Sequence, residues 1–283
     1  VKKVIFLAMT LLIVLAGCAS NETGSASTKN QKHEQGDGPK EKKEHRKEAT
    51  KEASGQANAK QPDKVIKKEG VQTAQYEVDP KTWTVKPIDP NGNKKVVLIT
   101  IDDAPDEHAL EMAKKLKAMH VGAIFFLNGH FLNTDEKKQV VKKISDMGFF
   151  LGDHTYSHAD LTTLSKPEQK KEMMSVYSQI KDITGNPPHF FRAPYGKNTD
   201  YTKELAKDNN MTLMNWAFGY DWNKEYENPD ALTKIMTDNP YLVNGSILLM
   251  HDRDWTNIAL KGIIKGLKKK GYTMLDPRLI KTQ

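Results

Sequence analysis

From Lys94 to the C-terminus, short apolar, β-rich runs alternate with longer stretches of helical periodicity, and this alternation restricts the fold more than any other feature. The strand candidates are KVVLITID (95–102), AIFFLNG (123–129), FFLGDHT (149–155), HFFRAPY (189–195), TLMNWAFG (212–219), SILLMHD (246–252) and YTMLD (272–276). Between them lie helical patterns such as EHALEMAKKLKAM, EKKQVVKKISDM, PEQKKEMMSVYSQIKDI, DYTKELAKDN and NIALKGIIKGLKKK. In the last, Ile258, Leu260, Ile263, Ile264 and Leu267 fall near helical spacing with lysines opposite. Strands alternating with helices predict an α/β chain of parallel βα units, closed or nearly closed into a barrel.

Barrels of this kind carry their chemistry at the C-terminal ends of the strands. The reactive side chains fall there. The first strand ends in Asp102-Asp103, and the third ends at His154 with His158 just beyond. The fourth ends in Arg192-Ala193-Pro194-Tyr195, the fifth runs out into Asp221-Trp222, and the sixth ends in His251-Asp252. Two imidazoles and a carboxylate, with other positions open, suit a catalytic divalent ion. Asp102 and Asp103 point to opposite sides on a regular strand, but a turn at the strand end lets both reach one pocket. One then ligates a metal and the other serves as base. Two plainer readings compete. The Asp pair is also what a turn before the helix at Glu107 would use. His154-x-x-x-His158 also has the spacing of a helical zinc peptidase motif, but Thr155 stands where that motif needs its glutamate base. The other histidines form no such pattern; His130, at a strand end, is the one candidate near the site. Trp216 and Phe190 are expected to pack in the barrel.

The N-terminal part is compositionally separate. Lys2 and Lys3 precede an apolar run at 4–16 that is too short for a comfortable bilayer span, as in an export signal. It ends in Leu15-Ala16-Gly17-Cys18, which resembles the bacterial lipoprotein cleavage box, with Cys18 as the lipidated residue. Cys18 is the only cysteine, so a disulfide framework and a thiolate-rich zinc site are excluded. Residues 19–70 contain no aromatic side chain and are dominated by Lys, Glu, Gly, Ser and Gln, which predicts a disordered tether. The expected division is a signal peptide at 1–17, a tether at 18–70, an extension packing on the barrel at 71–93, and a catalytic domain at 94–283. Of the formal net charge of +7, only about +2 belongs to residues 71–283, so nucleic-acid binding has little electrostatic support.

The segments LITIDDAP, HTYSHADL, FFRAPYG, YDWN and ILLMHD, in this order over about 94–280, resemble the five motifs of the polysaccharide deacetylase family, the NodB homology domain of carbohydrate esterase family 4. The resemblance implies a distorted (β/α) barrel of the seven-unit type and metal-assisted removal of acetyl groups from sugar polymers. Position by position, it implies Asp102 as catalytic base and Asp103, His154 and His158 as ligands of one divalent ion, most often zinc, with cobalt or another divalent ion as substitutes. Arg192 would pair with the base and hold it ionised. The Tyr195 backbone N–H would stabilise the oxyanion. Asp221 would tune His251 as general acid. Pro194, Trp222 and Leu249 would contact substrate.

Two positions depart from the family pattern. Ala104 stands where the first motif has Gly, and a positive φ there would cost Ala about 1 kcal/mol or more. Phe218 stands where the fourth motif has its first Asp. The expected function is N-deacetylation of an N-acetylglucosamine polymer, peptidoglycan or exopolysaccharide, by a lipid-anchored, extracytoplasmic monomer. The alternatives are an O-acetyl esterase and a wall-binding barrel that has lost activity.

Overall fold

The computed structural model describes residues 73–283. The expectations for the signal segment, the tether and Cys18 lie outside the described residues. Among these, no helix is long and apolar enough to cross a membrane.

Two short strands open the structure, β1 (Tyr76–Asp79) and β2 (Thr84–Pro87), paired as an antiparallel hairpin. The expected alternation follows: β3 (Val96–Ala104), α1 (Ala109–Ala118), β4 (Ile124–Leu127), α2 (Asp135–Asp146), β5 (Phe150–Asp153) and α3 (Lys166–Thr184). Then come β6 (Phe190–Phe191), α4 (Asp200–Asp208), β7 (Thr212–Leu213), α5 (Pro229–Thr237), β8 (Ser246–His251), α6 (Asp254–Lys269) and β9 (Thr273–Met274). The sheet runs β1-β2-β8-β3-β4-β5-β6-β7, with β9 also on β3. From β8 through β7 every pairing is parallel. The sheet curls without joining β7 to β1. The C-terminal residues span that gap: Lys281 N–H donates to the Tyr76 carbonyl, and Gln283 N–H donates to Thr212 Oγ1. The result is a distorted (β/α) barrel.

Strand alternation decides which residues face the interior. On β3, Val96 and Leu98 join Ile124, Phe126, Phe190, Met214 and Ile247 inside the curl. Val97, Ile99 and Ile101 face outward into the layer covered by α1, α2, α5 and α6. Continuing the inward series gives Thr100 and Asp102; on β8 it gives Ile247, Leu249 and His251. The interior therefore changes from apolar to reactive toward one end, where the parallel strands finish. Gly152 on β5 lets the Phe126 ring pass, because a Cβ there would lie 2.4 Å from Phe126 Cδ1.

Several strands are shorter than their apolar runs. The run at 212–219 forms a strand only at Thr212–Leu213, and Phe218 returns to the sheet as an isolated bridge to Leu248. The cause is Arg192: its Nε and Nη2 donate to the Met214 and Asn215 carbonyls, which turns them away from a strand ladder. The run at 189–195 stops at Phe191, ahead of Pro194 and of Tyr195 with φ 58°. In α6, Leu260, Ile263, Ile264 and Leu267 are buried as expected, but Ile258 faces solvent.

Candidate active site

The strand ends surround a cavity of about 360 Å³ lined by Asp102, Asp103, His154, His158, Tyr195, Trp216, Asp221, Trp222, Leu249, His251 and Arg253.

 

Nine of the eleven were expected at the site: Asp102, Asp103, His154, His158, Tyr195, Asp221, Trp222, Leu249 and His251. The two additions are Trp216 and Arg253. Trp216 has its expected place in the barrel. It packs against the inner core and also forms part of the cavity wall. Arg253 directly follows the strand-end pair His251-Asp252, and that position was the only signal for it. Pro194 is buried and does not line the cavity. His130 is exposed and hydrogen-bonded to the Tyr156 carbonyl, away from the cavity.

Asp102 and Asp103 reach one cavity because Asp103 adopts φ 57°, which turns its side chain back to the side Asp102 faces. Ala104 is buried and does not have a positive φ, so the strain expected there falls on Asp103. Thr155 (φ 68°) and His158 (φ 60°) are also left-handed. Such conformations cost about 1–3 kcal/mol each and collect where function fixes the backbone. The spacing of His154 and His158 thus comes from a strained turn and not from a helix. Phe218 is buried in the layer between sheet and helices, so this departure from the motif lies in the core.

Asp103 Oδ1, His154 Nε2 and His158 Nε2 lie toward one another. Oδ1 is 3.8 Å from the first nitrogen and 3.6 Å from the second. A tetrahedral ion with bonds of 2.0–2.1 Å would hold its donors about 3.4 Å apart. Asp103 Oδ1 is buried and has no hydrogen-bond partner. Burial above all drives the His154 imidazole down to about 3, so the ring is neutral. Its Nδ1 lies 2.8 Å from the Arg192 carbonyl, which can only accept, so the lone pair is on Nε2, facing the cluster. These three residues fit a divalent metal ion.

Arg192 is fully buried inside the curl, with its guanidinium 4.2 Å from the Phe126 ring centroid. Its Nη1 donates to Asp102 Oδ1 at 2.6 Å and to Thr100 Oγ1 at 2.8 Å. Burial nonetheless pushes the Asp102 carboxyl above its ordinary range; the charges of Arg192 and His251 oppose this without cancelling it. Opposite, His251 bonds to Asp221. Burial pushes its imidazole down, but the Asp221 charge and hydrogen bond, with Asp102 and Asp103 behind them, outweigh this and raise it. Gly219 lets the loop carrying Asp221 cross β8, since a Cβ there would lie 2.4 Å from the Leu249 carbonyl oxygen.

The polysaccharide deacetylase family model matches residues 89–214. A solved structure described as the Bc1960 peptidoglycan N-acetylglucosamine deacetylase is 30% identical, with a TM-score of 0.59, over 65% of this chain and 87% of that one. The chain belongs to the polysaccharide deacetylase family. A peptidoglycan-N-acetylglucosamine deacetylase of Bacillus cereus is 31% identical over 186 residues, 63% of this chain and 66% of that protein's own length. BA3943 of Bacillus anthracis, described as a CE4 family pseudoenzyme, is 31% identical with a TM-score of 0.58, over 64% of this chain and 63% of that one. The relatives of this fold thus include both a protein described as a deacetylase and one described as a pseudoenzyme.

Proposed function

We propose that the chain is a metal-dependent deacetylase that removes N-acetyl groups from an N-acetylglucosamine-containing wall polymer, with peptidoglycan as the first substrate to test. The observation that carries this reading is the convergence of a carboxylate paired to a buried arginine, a two-histidine, one-aspartate cluster and a carboxylate-bound imidazole on one cavity. The peptidoglycan deacetylases among its relatives support the substrate class. The lipoprotein-like segment ending at Cys18 supports a place outside the cytoplasmic membrane, tethered to it.

Asp103, His154 and His158 would hold the ion, zinc or cobalt by donor type. A divalent ion there polarises an acyl carbonyl and acidifies water. Asp102 Oδ1 is committed to Arg192, which leaves Oδ2 to take the proton of the attacking water. The Tyr195 backbone N–H is the donor for the oxygen on which charge develops. His251, held protonated by Asp221, gives its proton to the leaving nitrogen as the C–N bond breaks, so that acetate and a free amine are released. Trp222 and Leu249 close the cavity around the acetyl methyl. The Trp222 ring stands edge-on to His251 at 5.5 Å and fixes that wall.

The inactive-barrel reading draws on BA3943, and the O-acetyl esterase reading uses the same site. One assay separates all three. The purified protein is incubated with peptidoglycan and with N-acetylglucosamine oligomers, and acetate and new primary amine are both measured. Equal release of both supports the proposal. Acetate without amine indicates ester cleavage, and neither product from any polymer indicates an inactive barrel.

A further inference from the structure

The end of β8 sends three consecutive side chains to three places. His251 meets Asp221. Asp252 accepts the backbone N–H groups of Asp106 and His108 at 2.7 Å and of Ala109 at 3.0 Å, which ties the loop after β3 to β8. Arg253 enters the cavity wall. Its Nη2 donates to Asp103 Oδ2 at 2.9 Å, and its Nη1 donates to Asp106 Oδ2 at 3.3 Å and to the Asp252 carbonyl at 3.1 Å.

We propose that Arg253 is a positioning residue for the metal-ligating carboxylate: it holds Oδ2 of Asp103 so that Oδ1 alone faces His154 and His158. The inference rests on the reading of Asp103 as a metal ligand. A free carboxylate turns about its last bond and can offer either oxygen or both. Here one oxygen is occupied by the guanidinium, and the other is buried, unpartnered and directed at the two imidazoles. A hydrogen bond to a ligand's second atom fixes its orientation before any ion arrives.

A cation beside a metal site also repels the ion, and Asp106 offsets that. Asp103 and Asp106 lie on separate N–H groups of the same guanidinium, so its charge is balanced while its direction is kept. This bridge needs a planar fork. A lysine ammonium carries the same charge but has no fixed geometry with which to span two carboxylates.

The test measures metal dissociation constants by competition with a coloured chelator for the wild type, Arg253→Lys, Arg253→Met and Asp106→Asn. The visible spectrum of each cobalt-loaded protein is recorded alongside, and circular dichroism checks folding. Arg253→Lys and Arg253→Met are each expected to weaken binding about 10- to 100-fold. Asp106→Asn should weaken it by a smaller factor, and the cobalt bands of both Arg253 variants should shift. Wild-type affinity and spectrum in both Arg253 variants would overturn the proposal. So would tighter binding in Arg253→Met with wild-type binding in Arg253→Lys, because charge alone would then explain the effect. A wild type that binds no divalent ion would instead defeat the metal reading of Asp103, and the inference with it.

Discussion

His251 Nδ1 lies 2.7 Å from Asp221 Oδ1, and the second oxygen of that carboxylate accepts the His251 backbone N–H at 2.6 Å. Thr256 Oγ1 donates to the same second oxygen at 2.7 Å, and the Trp255 indole N–H donates to the Asp221 carbonyl at 2.8 Å. Asp221 is thus fixed on every side, and through it the ring of His251. If His251 acts as an acid, activity falls as pH rises through its raised pKa. Asp221→Asn removes the carboxylate that raises it, so the alkaline limb of the kcat/KM profile moves to lower pH. His251→Ala should lower kcat about 100- to 10,000-fold, the usual contribution of a positioned acid. Rates across a pH series check both outcomes.

The buried pair Arg192–Asp102 carries a structural cost as well as a role. Arg192→Leu leaves the Asp102 carboxylate without its partner and should destabilise the fold by about 3–5 kcal/mol. Replacing both with leucine removes the orphaned charge and should recover much of that loss. Urea denaturation of the single and double variants gives the comparison.

Metal binding should be visible in stability without any substrate. An ion that binds only the folded state stabilises it by about 2.7 kcal/mol at a hundred times its Kd. Added zinc should therefore raise the unfolding temperature of chelator-treated wild type and leave Asp103→Asn nearly unchanged. Differential scanning calorimetry with and without zinc measures this.

Gly152→Ala places a methyl against the Phe126 ring, two residues before His154. Overpacking of this kind costs about 1–3 kcal/mol. The expected result is a lower denaturation midpoint together with weaker metal binding, as β5 shifts and moves the imidazole.

The alternation of strands and helices was legible because apolar period and length carry it, and the strand ends delivered Asp102, His154, Arg192 and His251 in order. Other features depend on contacts that no local pattern records. The β1–β2 hairpin was read only as an extension packed on the barrel. Helix α5 is the exception, since Asn228 caps it and Pro229 opens it, a start signal that is local. The run at 212–219 reads as one strand until Arg192 takes its carbonyls. The shared orientation of Asp102 and Asp103 depends on a single positive φ, which a string of β-forming residues does not announce. Arg253 lacked a motif because its role lies in pairing with residues about 150 positions away.

In the proposed mechanism one Asp of the pair holds the ion while its neighbour takes the proton. The most direct measurement determines bound metal and acetate release together, on peptidoglycan, for wild type, Asp102→Asn and Asp103→Asn. The expected result is one equivalent of metal in wild type and in Asp102→Asn, acetate from wild type alone, and neither metal nor acetate in Asp103→Asn. Wild-type acetate release from Asp102→Asn, or full metal content in Asp103→Asn, would contradict it.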